Sequence, residues 1–121
     1  MKLSQRQMQG FSEAATKDFE DRMGHHVQEC FPEQCEALGD TETREAIREG
    51  IGLASDYGIT LERDVCRYIS LMFAFGRRFD RDRQLPWAGR ILNDSSTTDA
   101  STRMNRLFGA AATYARSVAV V

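Results

Sequence analysis

The stretch "QMQGFSEAATKDFEDRMGHHVQECFP", residues 7–32, decides the fold. Its apolar residues fall at Met8, Phe11, Ala15, Phe19, Met23, Val27 and Cys30, in steps of three or four, which is the spacing of one helical face. Lys17, Asp18, Glu20, Asp21 and Arg22 occupy the other face, as solvated residues should. With Ser4 and Gln7 spaced as a capping box, the pattern predicts a long amphipathic helix over 4–30. Phe31-Pro32 ends it, because a residue before proline is pushed out of the helical region and a proline suits the first turn of the next helix.

Working outward, PEQCEALG reads as a short second helix closed by Gly39. Thr41 caps a third through Ile47, Ile51, Ala54 and Tyr57, with Gly58 as a left-handed stop. Thr60 is placed to cap a fourth helix carrying Leu61, Val65, Tyr68, Ile69, Met72 and Phe73, made apolar nearly all round by Leu71, Ala74 and Phe75. A loop over 76–85 and a short helix from Pro86 to near Asn93 follow. The linker NDSSTTDAST, 93–102, leads into a last helix over 102–118 with an apolar stripe of Met104, Leu107, Phe108, Ala111 and Ala115. No useful strand alternation and no repeat interrupts this reading. The expectation is an all-α single-domain bundle spanning 1–121, with about four main helices and two short ones.

Composition sets the class. The 121 residues are 41% hydrophobic and 28% charged, ordinary values for a chain that buries a core. Residues 1–64 hold 14 Asp/Glu against 7 Lys/Arg, and residues 65–121 hold 4 against 9. This marks either two surfaces of opposite sign or two halves that neutralise one another. A pI near 5.7 and the lack of a dense basic stripe argue against nucleic acid. No segment approaches the roughly 18 apolar residues that cross a bilayer, and no export signal precedes the helices, so a cytoplasmic protein with no membrane partner is expected. Cys30, Cys35 and Cys66 are then read as reduced thiols.

Several groups invite a chemical reading. His25, His26, Cys30 and Cys35 are the most metal-like cluster, but neither CxxC nor HxxxH is present, and Cys30 sits on the apolar stripe where a thiol packs as a small hydrophobe. Cys66, between Arg63, Asp64 and Arg67, has core neighbours in Val65 and Ile69. Asp80 and Asp82 form a DxD pair without the glycine and distant glutamate of a calcium loop, and salt bridges to Arg77, Arg78, Arg81 and Arg83 explain it more simply. No catalytic residue, cofactor or metal site is therefore assigned.

What remains is a surface for a protein partner. Phe75, Phe79 and Trp87 interleave with Arg77, Arg78, Asp80, Arg81, Asp82 and Arg83, aromatics and arginines of the types enriched at interface hot spots. The competing reading turns the aromatics inward to cap the bundle. On the first reading, replacing Arg78 and Phe79 by alanine weakens binding and leaves helicity intact.

The stretches "FEDRMGHHVQECFPEQCEALGD" (19–40) and "YGITLERDVCRYISLMFAFGRRFDRDRQLPWAGRIL" (57–92) resemble small bacterial helical proteins encoded in type VI secretion effector clusters, near PAAR-type spike proteins. YGIT followed by ERDV, and FD followed by LPWA, carry the likeness. It implies a non-enzymatic helper: an adaptor or co-chaperone of an effector or spike-associated protein, or an immunity protein that neutralises a toxin. It brings no binding residues with it. From other classes, a small metal-dependent enzyme using Asp80, Asp82 and His25 or His26, and a self-associating structural bundle, stay open.

Overall fold

The computed structural model describes residues 13–96 and 99–119, and among them every regular element is helical. The proposed Ser4 cap and the helical positions before residue 13 lie outside the described residues. The contacts of the chain gather into two compact units, residues 1–77 and residues 78–121.

The first unit contains α1 (Glu13–Cys30), α2 (Pro32–Asp56) and α3 (Glu62–Phe75), each packed on the other two. Phe31, at φ −134° and ψ 58°, breaks α1 from α2, and Pro32 opens α2 at its first turn. Gly39, at φ 84° and ψ 165°, kinks α2 where the sequence places the end of a short helix, so PEQCEAL and the run after it are two helical pieces on either side of one glycine. The stop at Gly58 takes the expected left-handed form, at φ 79°. The Gly58 N–H donates to Ser55 O at 2.9 Å and the Ile59 N–H to Ala54 O at 2.8 Å, and buried Ile59 and Ala54 supply the apolar contact of this helix ending.

Thr60 does not cap α3. Leu61 occupies that position without a side-chain bond, and Glu62 and Asp64 bring negative charge to the first turn instead. Phe19, Met23 and Val27 of α1, Ala46, Ile47 and Ala54 of α2, and Val65, Tyr68, Ile69 and Met72 of α3 are buried. Gly50 sets the approach of α2 to α3, since a Cβ there would stand 2.7 Å from Ile69 Cγ1 and 2.8 Å from Met72 Sδ. Two residues leave the expected core: Cys30 is exposed in the last turn of α1, beyond the reach of the stripe, and Ala74 is exposed near the end of α3.

Much of the acidic excess is matched by arginines of the same unit. Glu20, expected on the solvated face of α1, is buried because two arginines of α2 cover it, Arg44 at 3.3 Å and Arg48 at 3.2 Å, while Arg44 Nη2 donates to Asp21 at 2.7 Å. That bond holds the Asp21 carboxyl below its usual range. Arg22 pairs with Glu62 at 3.0 Å and Asp18 at 2.9 Å.

The second unit contains a 3-10 turn (Phe79–Arg81), α4 (Pro86–Leu92) and α5 (Ala100–Ala119), with α4 packed on both the turn and α5. Its buried apolar residues are Phe79, Leu85, Ala88, Ile91, Leu92, Met104, Leu107 and Ala111. The buried stripe of α5 is narrower than the sequence spacing predicts: Phe108 is 38% exposed and Ala115 is exposed, both turned off the Met104, Leu107, Ala111 line.

The last helix begins at Ala100, earlier than expected, because Asp99 caps it. The Asp99 carboxylate accepts from the Thr102 N–H at 3.2 Å and from the Thr102 hydroxyl at 2.7 Å. Asp94 accepts from the Ser96 hydroxyl at 2.6 Å and pairs with Arg106 of α5 at 2.8 Å. Bonds from Thr102 to Asp99, and from Ser96 and then Arg106 to Asp94, hold both carboxyls below the usual range. A depressed folded pKa contributes stability that is complete above the unfolded value and is lost as pH falls through the folded one. Thermal melts of helicity should therefore be insensitive to acid until pH drops below about 3.8, the ordinary aspartate value, and then shift downward. Asp99→Ala should lower the midpoint at neutral pH and reduce that acid sensitivity.

Candidate functional site

The arginine and aromatic stretch divides between the two units. In the first unit Phe75 is half-buried as the last residue of α3, Gly76 leaves the helix at φ 117°, and exposed Arg77 donates to Glu49 of α2 at 2.7 Å. This ion pair ties the start of the basic loop to the acidic part of the chain, one of the two uses expected for these charges.

In the second unit the loop ties to itself. Arg78 lays its fork on Asp80, Nε to Oδ1 at 3.1 Å and Nη2 to Oδ2 at 3.0 Å, and the Asp80 side chain is fully buried. Phe79 is buried completely. Asp82 accepts from the Gln84 N–H at 2.8 Å, a local turn that leads to Pro86. The loop also lies directly on α4, because a Cβ at Gly89 would stand 2.8 Å from the Asp80 carbonyl oxygen. Trp87 is half-buried, its ring centroid 5.8 Å from that of Tyr114.

The nine residues singled out in the sequence thus separate by role. Phe79 and Asp80 are internal, so the folded surface does not present them to a partner. Arg78 spends its fork on Asp80, and the residues left facing outward are Arg77 on the first unit and Arg81, Asp82 and Arg83 on the second. The DxD reading changes too: the Asp80 carboxylate faces a guanidinium, and Asp82 faces a backbone amide. Among the described residues no group of three or more His, Cys, Asp or Glu is arranged to hold a metal ion. Nor is any described helix long and apolar enough to cross a membrane.

A second surface escaped the sequence reading. In the first unit Ala37, Leu38, Ala46, Met72 and Phe73 line an open, largely apolar groove of about 310 Å³, with Gln34 and Arg77 also on its walls. Leu38 is 36% exposed, and Gln34 Nε2 reaches the Phe73 carbonyl at 3.5 Å. The kink at Gly39 falls between Gln34, Ala37 and Leu38 on the first piece of α2 and Ala46 on the second, all of which line the groove. The signal available in the sequence was the Ala37-Leu38 pair immediately before that glycine, on a helix too short to bury both of its apolar sides.

The three cysteines differ in setting. Cys35 is buried, and burial pushes its thiol up. Cys66 is partly covered, with burial again pushing it up, which disfavours the thiolate at rest. Cys30 is exposed, and its Sγ lies 3.8 Å from His26 Nε2. Comparison of the chain with known protein families, with curated proteins and with solved structures found no match.

Proposed function

We propose that this chain is a non-enzymatic helper that binds another protein in the cytoplasm, an adaptor or co-chaperone of a type VI secretion effector or spike-associated protein. The observation that carries the binding role is the apolar groove between the first piece of α2 and the end of α3, walled by Leu38, Met72 and Phe73 with Arg77 beside them. Its size suits one or two apolar side chains of an amphipathic helix, and Arg77, which already pairs with Glu49, sets a guanidinium at its edge for an acidic residue of such a helix to meet. The secretion setting rests on the resemblance of residues 19–40 and 57–92.

The test is an affinity capture of the tagged protein from cells that express its neighbouring genes, followed by mass spectrometry and titration of whatever is retained in stoichiometric amount. Leu38→Glu should weaken the captured partner by roughly thirtyfold, the size of a hot-spot loss, while far-UV circular dichroism stays unchanged. Arg81→Glu with Arg83→Glu tests the exposed loop of the second unit separately. Rescue of cells from a toxin by the same protein would select the immunity reading over the adaptor. Capture that ignores Leu38→Glu would remove the groove from the interface, and an empty eluate would remove the binding role itself.

A further inference from the structure

In the first unit α1 and the second piece of α2 enclose a polar cleft of about 370 Å³. Asp21 meets Arg44 at one end, and Gln28 and Asp40 line the other, so the two helical walls run in opposite directions. His25 stands on the α1 wall, and buried Thr43 and Ile47 form the floor. Past Gln28 and Asp40 the cleft adjoins a second opening of about 260 Å³, where Glu36 adds a carboxylate.

The floor holds an unsatisfied polar group. Thr43 is only 3% exposed, and its hydroxyl has no hydrogen-bond partner, a costly state for a buried oxygen. The Cys35 thiol beside it does not relieve this, because burial keeps that thiol neutral and a neutral thiol is a weak partner. Among the described residues the side chains of His25, Gln28 and Asp40 carry no hydrogen bond or ion pair either. Gly24 leaves the α1 wall bare. Neither packing nor backbone angle demands a glycine there, since a Cβ would meet nothing within 4 Å and φ is not positive, yet glycine inside a helix costs stability relative to alanine.

The lining selects the sign of a ligand. Arg44 has both terminal nitrogens committed, one to Glu20 and one to Asp21, so an anion finds no free guanidinium donor. What stays open is a set of acceptors: the Asp40 carboxylate, the Thr43 oxygen, the Gln28 carbonyl oxygen and one ring nitrogen of a neutral His25. Residues 1–77 also hold 14 Asp/Glu against 9 Lys/Arg, which draws cations to this unit.

We propose that this cleft binds a primary alkylammonium group, the head of a free diamine or of a lysine side chain, with Asp40 as its counter-charge and the Thr43 hydroxyl as its buried hydrogen-bond partner. An ammonium brings three N–H donors and no acceptor, which matches a carboxylate, a hydroxyl and one amide or imidazole acceptor. Its methylene tail has the space left by Gly24 and the apolar floor at Ile47. The site is separate from the groove beside Leu38 and does not depend on that groove holding a partner.

The experiment titrates the isotope-labelled full chain with 1,4-diaminobutane at constant ionic strength and follows backbone amide shifts. Saturable shifts confined to residues 21–28 and 39–47 are expected. Tetramethylammonium, which has the charge but no N–H donor, should bind more weakly by roughly tenfold or more. Asp40→Asn, at an exposed position, should weaken the diamine by roughly tenfold. Thr43→Val should weaken it by roughly threefold while leaving thermal stability equal or higher, which separates a hydroxyl that meets a ligand from one that holds the fold. Gly24→Leu should fill the cleft and abolish binding in a folded protein. A capped peptide with a single lysine distinguishes the sources: tighter binding than the diamine at the same amides identifies a partner's lysine, and binding of the diamine alone identifies a free amine. Shifts that do not saturate or that spread to Glu33 and Asp56 would overturn the proposal. So would equal binding of tetramethylammonium, or unchanged affinity in Thr43→Val.

Discussion

Phe79→Ala is expected to lower the stability of the second unit by about 3–5 kcal/mol, the range for removing a fully buried aromatic ring. The ring is completely covered although it belongs to a three-residue 3-10 turn. That turn packs on the short helix α4, which in turn packs on α5, so loosening the turn reaches the rest of the unit. A unit with eight buried apolar residues among those described has little to spare, and a loss of this size approaches the whole stability of many small folds. Urea unfolding followed by the fluorescence of Trp87, the single tryptophan, reads this unit directly. A midpoint within error of the parent would mean the ring is not packed as described. Arg81→Ala, two residues along the chain and exposed, should change stability by less than about 0.5 kcal/mol and serves as the control. The double replacement of Arg78 and Phe79 suggested by residue type alone is for this reason a poor probe of binding, since it damages the fold before it touches a partner.

The helices were legible because their signals are local. Pro32 and Pro86 restrict the backbone and Gly39, Gly58 and Gly76 free it for positive φ, in each case without help from a neighbour, and every one falls at the break it predicts. Side-chain caps were harder. Thr60 and Asp99 are both residues that favour the position, yet Asp99 is used and Thr60 is not, because the choice depends on where the preceding chain leaves the first free amides. Burial within a short loop was harder still. Phe79 and Trp87 are both aromatics set among arginines, and only the fold decides that the first is internal and the second half-covered. The groove beside Leu38 was illegible for a related reason: its walls lie on both sides of a kink, and a kink shows in the sequence as one glycine without its angle.

Arg78→Ala should destabilise the second unit by about 2–3 kcal/mol, well above the fraction of a kcal/mol expected for an exposed ion pair. The reason is asymmetric burial. The Arg78 side chain is 42% exposed, but the carboxylate it holds with two parallel bonds is wholly inside, and losing the fork leaves that buried charge short of two donors. Arg78→Lys should recover only part of the loss, because an ammonium group offers one point of charge where the guanidinium offers a matched pair of donors. Adding Asp80→Asn to Arg78→Ala should restore some stability by removing the stranded charge, giving a favourable coupling in a double-mutant cycle. Urea unfolding read at Trp87 measures all four corners. Simple additivity would mean that Arg78 and Asp80 do not act as a unit, and Arg78 would then return to the exposed residues as a free contact for a partner.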